Sequence, residues 1–302
     1  MNLFPLPFVL DTNTTRFERL PEIKALAKRG FRLRIAETAF AEWTAACVRG
    51  WKREGWSRQE ARSKYFGRAR AIAPFLDADL PVAPDGGSLA RRIVAEADGA
   101  LASDEGDGQA RQLREFWADV SGIGITDEEF IHAGTMAETF LDELDSNFIS
   151  LARREQDLRK NPRSPDVGPA ERKAGYQLWD AMSSADRLTH LRRFVRETLH
   201  FSPAAAERLD AHVCTFAYRL HMAALGERMP KQNDGGDISL PVHLGAGCFL
   251  ITQEKRLVDI VDQSGTFQAP WVRRLNDLDD LPEGLPWGDS ARRESKRFAR
   301  RR

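Results

Sequence analysis

Phe8-Val9-Leu10-Asp11-Thr12-Asn13 decides how this chain is read: a short apolar run passes directly into a carboxylate followed by two polar, turn-forming residues. A continuous apolar run that ends at turn residues suits a strand covered on both faces, as in a parallel sheet. Downstream, Leu20 to Arg29 places Leu20, Ile23, Leu26 and Ala27 at helical spacing, and Gly30 ends the pattern. Phe31 to Ala36 alternates apolar Phe31, Leu33 and Ile35 with Arg32 and Arg34, the signature of a second strand. Thr38 to Val48 is helical again. β-α-β-α within the first fifty residues predicts an α/β fold built on a parallel sheet.

That rhythm stops and later resumes. From Ser57 to about Gly226 the segments are helical: Ser57 to Leu76, Ser88 to Ala102, Gln109 to Val120, Asp127 to Arg159, Pro169 to Met182, Ala185 to Leu199 and Ala204 to Leu225. Thr126 before Asp127-Glu128-Glu129 is an N-cap followed by acids at the positive end of the helix dipole. Ser103 to Gly108 and Lys160 to Gly168 read as loops. After Pro230, Asn233-Asp234-Gly235-Gly236-Asp237 leads into a short helix from Ile238 to Ala246. Gly247 to Thr252 is a buried-strand run, and Lys255 to Asp262 a last helix. The organisation expected is one α/β domain formed from residues 1–78 and 205–289, a helical insertion over 79–204, and a basic, flexible tail over 290–302.

The chain has 302 residues, 45 Lys+Arg against 45 Asp+Glu and 42% hydrophobic residues, enough apolar material for a self-sufficient core. No run reaches the ~20 apolar residues of a membrane-spanning helix. The first ten residues lack a positive n-region and carry two prolines, so they are expected to be a strand and not a signal peptide. Cys47, Cys214 and Cys248 form no CxxC pair and are expected as core residues of a cytoplasmic protein. A zero formal charge removes general attraction to polyanions, so any nucleic-acid contact must be local. The tail holds seven Lys/Arg and one Glu, leaving 38 Lys/Arg against 44 Asp/Glu in residues 1–289, a charge of −6. Arg153-Arg154, Arg159-Lys160, Arg192-Arg193 and the tail are the candidate phosphate contacts.

In an open parallel sheet, ligands sit beyond the carboxyl ends of the strands. Asp11 follows the first strand, Asp237 is expected to cap a helix start, Glu254 lies two residues past the later strand, and Glu42 sits in the helix after the second strand. Carboxylates gathered there raise one another's pKa and call for a cation. Mg²⁺ or Mn²⁺, which prefer oxygen ligands, fit that set.

Val9-Leu10-Asp11-Thr12-Asn13 resembles the opening strand of PIN-domain nucleases, and Ala39-Phe40-Ala41-Glu42-Trp43 is similar to the helical segment that carries their second acid. Asn233 to Ile238 followed by Phe249 to Lys255 resembles their third-acid helix and the strand after it, with its Thr-x-acid ending. The likeness covers roughly residues 1–75 and 205–262, so the helical middle lies outside it; Glu254 stands where Asp is common. It implies a PIN-like three-layer fold and metal-dependent hydrolysis of phosphodiester bonds, usually in RNA; the helical insertion, outside the likeness, offers a surface for a homodimer or a regulatory protein partner. Asp11 and Asp237 would be central ligands, Glu42 would complete the shell or orient water, and Asp234 or Glu254 would bind directly or through water. Thr12, Asn13 and Thr252 would support the ligands. Pro241 is compatible with the third-acid helix only if that helix begins at about Ile238.

A dehalogenase-type phosphatase would need a second Asp at position 13, where Asn stands. A PIN-like scaffold that binds nucleic acid or protein without catalysis is the remaining alternative. No GxxxxGK[ST], GxGxxG, GxSxG or HExxH motif occurs. Glu138 to Asp145 is expected to form the solvated acidic face of an amphipathic helix, the six histidines to serve as helix-surface or core residues, and most of the seven tryptophans to pack in the core.

Overall fold

The computed structural model describes residues 6–100, 115–120, 124–160, 181–224 and 234–300. Its centre is β1 (Phe8–Leu10), in which all three side chains are fully buried. A strand covered on both faces must be flanked by other strands, and β1 pairs in parallel with β2 (Leu33–Ile35) on one side and β3 (Phe249–Ile251) on the other. β4 (Val272–Arg273) adds in parallel to β3, giving the order β2-β1-β3-β4. Beyond β2, residues 81–83 run alongside: Ile35 N donates to Pro81 O and Ala83 N to Ile35 O, each at 2.8 Å. The α/β expectation holds as an all-parallel sheet in a mostly helical molecule.

The helices follow in chain order: α1 (Leu20–Lys28), α2 (Glu37–Arg53), α3 (Arg58–Ile72), α4 (Gly86–Ala97), α5 (Asp127–Lys160), α6 (Ser184–Thr198), α7 (Pro203–Arg208), α8 (Asp210–Ala224), α9 (Asp234–Ser239), α10 (Val242–Gly245), α11 (Lys255–Gln263) and α12 (Gly288–Ala299); residues 115–120 are also helical. Side-chain caps start several of them. Ser57 accepts from Glu60 N at 3.0 Å, Asp85 from Ser88 N at 2.8 Å and Ser202 from Ala205 N at 3.2 Å. Thr126 and Glu129 cap each other reciprocally, as their spacing predicts.

Four expectations need correction. The single helix from Ala204 to Leu225 is two, α7 and α8, divided at Leu209. The helix near Asp237 begins at Asp234, so Asp237 lies inside its first turns; Pro241, which has no N–H, ends that helix and caps α10. Residues 288–299 are not a flexible arm, because Ala291 is fully buried and Phe298 lies under the Arg273 guanidinium at 4.8 Å. In the run Glu138 to Asp145, Asp145 is only 5% exposed and does not belong to a solvated face. All but the last two residues of the expected helix Pro169 to Met182, the first half of Gln109 to Val120, the expected loop Ser103 to Gly108 and all but Lys160 of the expected loop Lys160 to Gly168 lie outside the described residues.

One core joins the sheet to the middle of the chain. Trp117, Val120, Ile125 and Phe130 share a cluster with β1, β3 and Trp271. Phe8 stacks on Phe31 at 4.4 Å and meets Phe249 edge-on at 5.0 Å. A smaller cluster of Phe148, Leu191, Val195, Val213, Leu220 and Ile238 ties α5 and α6 to α8 and α9. α5 therefore packs along α2, α8 and α9, with Gly134 admitting Val48 where a β-carbon would clash.

Candidate functional site

Strand order reverses direction between β1 and β3, which places a switch point at their carboxyl ends. Asp11 occupies it. Its amide donates to Ile251 O at 3.1 Å, and the chain turns at once, so that Thr14 N and Thr14 Oγ1 donate to Asp11 Oδ1 at 2.8 and 2.6 Å. Thr252 Oγ1, from the end of β3, donates to Asp11 Oδ2. Three donors on one buried carboxylate fix its orientation. Burial nonetheless pushes the Asp11 carboxyl above its ordinary range, with the threonine hydrogen bonds acting in the opposite sense.

Glu42 reaches the same place from α2, where Thr12 Oγ1 donates to its Oε2. Burial raises its pKa, Thr12 offsets part of the shift, and the charges of Asp11, Glu254 and Asp145 raise it further. Asp237 is pushed well up by burial first and then by Glu254, Asp234 and Glu42, with Arg219 opposing. No hydrogen-bond donor reaches the Asp237 carboxylate among the described residues. Glu254 N donates to Thr252 Oγ1 at 2.9 Å, so a single hydroxyl links β1 to the residue that starts α11. Asp11, Glu42, Asp237 and Glu254 thus come within electrostatic reach of one another from distant parts of the chain.

Asp234 differs from the other acids. It is 1% exposed, and both oxygens accept from guanidinium groups, Arg219 of α8 on Oδ2 and Arg256 of α11 on Oδ1. Its structural effect is to pin the start of α9 between two helices. On the opposite side Asp145 Oδ1 accepts from Gly235 N at 2.8 Å, satisfying one of the amides that a helix start leaves unpaired. A β-carbon on Gly235 would sit 2.5 Å from Leu144 O, so glycine there permits α9 to lie directly on α5.

Asp145, Arg219, Arg256 and Thr14 were not anticipated from sequence. Asp145 had a signal: Phe130, Gly134, Ala137, Leu141, Asp145, Phe148 and Ala152 step by three and four residues, so an acid occupies a position in the apolar stripe of α5. Among the described residues Asn13 makes no hydrogen bond to the cluster, whereas Thr12 and Thr252 do. His212 Nδ1 lies 2.9 Å from Ile238 O and His221 is buried, in keeping with core roles. Cys47, Cys214 and Cys248 are free and buried, and Trp43, Trp117 and Trp271 are in the core, while Trp179 lies outside the described residues. Arg192 donates to Ser264 O, so its guanidinium is already engaged by the fold.

The donor set suits a hard divalent cation, because the groups are carboxylates disfavoured as anions where they stand. Among the described residues no three Asp, Glu, His or Cys side chains form a ready-made ion cage, so a cation there would complete its shell with water. Comparison of the chain with protein-family models, with curated proteins and with solved structures finds no match. Fold and site define an α/β protein with a parallel four-stranded sheet and, at its switch point, a carboxylate cluster of buried Asp11 and half-buried Glu42, Asp237 and Glu254. No helix among the described residues is long and apolar enough to cross a membrane.

Proposed function

We propose that this chain is a metal-dependent nuclease of the PIN-like kind, hydrolysing phosphodiester bonds, with RNA preferred over DNA as substrate and Mg²⁺ or Mn²⁺ as cofactor. The observation that carries the reading is Asp237: a half-buried carboxylate that no hydrogen-bond donor reaches among the described residues, raised first by burial and then by Glu254, Asp234 and Glu42. Such an arrangement is unfavourable without a compensating positive charge. Asp11, Glu42, Asp237 and Glu254 are the residues that would hold the ion. Once bound, the ion supplies positive charge for the phosphodiester and acidifies a coordinated water.

The chain's own residues have separate tasks. Thr14 and Thr252 orient Asp11, and Thr12 does the same for Glu42. Asp234, with Arg219 and Arg256, is a positioning residue that holds α9 so that Asp237 faces the other acids. Arg16, exposed on the loop after β1, is close enough to Asp11 to lower its pKa and could meet a substrate phosphate.

The test compares wild type, Asp11→Asn and Asp237→Asn on labelled single-stranded RNA and DNA with Mn²⁺, Mg²⁺ or EDTA. Cleavage by the wild type, lost in EDTA and reduced by more than about 100-fold in both folded variants, is expected. No cleavage by the wild type with either metal, and no thermal stabilisation by Mn²⁺, would leave a non-catalytic scaffold as the better reading.

A further inference from the structure

A cavity opens between α2 and α5, on a face of α2 away from the carboxylate cluster. It has a volume of about 500 Å³ and is walled mainly by Phe40, Phe116, Ala133, Met136 and Phe140, with Glu37 at one end. That volume falls in the roughly 300–1,000 Å³ range of small-molecule sites. Two observations mark it as more than an imperfectly filled gap between helices. Met136 is 57% exposed and Phe116 is part-buried, so an apolar surface has been left available. Glu37 Oε2 is buried and meets no hydrogen-bond partner, a cost that a ligand with a polar edge would remove.

The surroundings of Glu37 narrow the ligand. Burial and the nearby Asp85, which caps α4, push the Glu37 carboxyl up to about 8. Glu129 and His132 of α5 also line the cavity, and no Lys or Arg is among its walls. A free phosphate has nothing to bind there, whereas a flat molecule with N–H groups along one edge is matched by the rings and the carboxyl. Glu37 and Glu42 lie five residues apart on α2, about 7.5 Å along its axis. The same spacing turns the two side chains about 140° apart, so the cavity and the carboxylate cluster lie on different faces of one helix.

We propose that this cavity seats an unpaired nucleobase of the substrate strand, stacked against Phe116, Phe140 and Met136 with its polar edge held by Glu37. The identity of the strand rests on the nuclease reading; the apolar seat and its carboxyl do not.

The experiment measures binding of labelled oligo(A), oligo(C), oligo(G) and oligo(U) in EDTA, with cleavage of the same strands in Mn²⁺ run alongside. Wild type is compared with Glu37→Gln, with Ala133→Trp, which fills the cavity, and with Met136→Glu, an exposed position whose change leaves the fold intact. One base is expected to bind best, and Ala133→Trp and Met136→Glu to weaken that binding by roughly 5- to 100-fold, the loss of one stacked base. Glu37→Gln is expected to reorder the preference among the bases. Equal binding of all strands, or binding unchanged by Ala133→Trp and Met136→Glu, overturns the proposal even if the wild type cleaves. Base-selective binding that the variants abolish, without cleavage in any metal, supports the cavity and overturns the nuclease reading. Binding of no strand overturns the cavity proposal, and it overturns the nuclease reading as well only when no strand is cleaved in Mn²⁺.

Discussion

Asp237 is the residue whose substitution separates stability from activity most clearly. Burial and three neighbouring carboxylates raise its pKa, so its folded environment opposes the charged form. Asp237→Asn removes that opposition while keeping the shape. In EDTA it is expected to stabilise the protein by about 1 kcal/mol, roughly 2–4 °C in Tm, while abolishing both cleavage and the response to Mn²⁺. Thermal melts at pH 7.5 check this, and an unchanged or lower Tm in EDTA would contradict the account. The pH dependence has the corresponding sign. Asp11, Glu42, Asp237 and Glu37 all have pKa values raised by folding, so their contribution is complete below the ordinary carboxylate range and is lost as pH rises through the folded values. For Glu37 that window runs from 4.5 to about 8. In EDTA, Tm should therefore fall between about pH 5 and pH 8, and the gain on adding Mn²⁺ should grow across the same interval. A flat profile would show that the cluster carries no such strain.

Among the elements, α9 holds the site together and was the hardest to read in advance. Arg219 is 5% exposed and pairs with Asp234, which is 1% exposed. Arg219→Ala removes a buried guanidinium from the Asp234 carboxylate and is expected to cost about 3 kcal/mol in chemical denaturation. Gly235→Ala places a β-carbon 2.5 Å from Leu144 O and should cost about 1–3 kcal/mol while weakening the Mn²⁺ response, because α9 must leave α5. Sequence made β1, β2, β3 and the helices beside them legible, since apolar runs and spacing report burial directly. It also placed Asp11, Glu42, Asp237 and Glu254 near one another, because the ends of those elements were visible, while their role as ligands belongs to the proposal. It did not reveal β4, whose two residues carry no periodicity, or the start of α9 four residues ahead of Ile238, where Asp145 on a remote helix caps the Gly235 amide. Contacts between elements distant in sequence leave no local pattern.

At the scale of the whole molecule, the sheet and the helical middle share one core, so unfolding should be a single transition. Far-UV and near-UV signals, the latter reporting buried Trp117 and Trp271, are expected to coincide; two separated transitions would show an independent middle. α12 modifies the expectation for the basic tail. Arg292 lies over Phe267 at 4.6 Å and pairs with Glu207 at 3.2 Å, so its charge holds the helix down, while Arg297 pairs with Glu294 within the helix. Exposed Lys296 and Arg300 remain available to a polyanion. Changing both to Glu should lower the slope of log K against log salt for single-stranded RNA by about 2 without lowering Tm, and an unchanged slope would remove α12 from binding. The pairing of Phe8 with Phe249 also bears on how the protein is made. At about 5–20 residues per second, a ribosome needs roughly 10–50 s after emitting β1 to deliver the strand that completes its pairing. Until then Phe8, Val9 and Leu10 can pair only with β2, and Asp11 has no Thr252 to hold it. A nascent chain is therefore without its acidic centre until β3 and Thr252 have been synthesised.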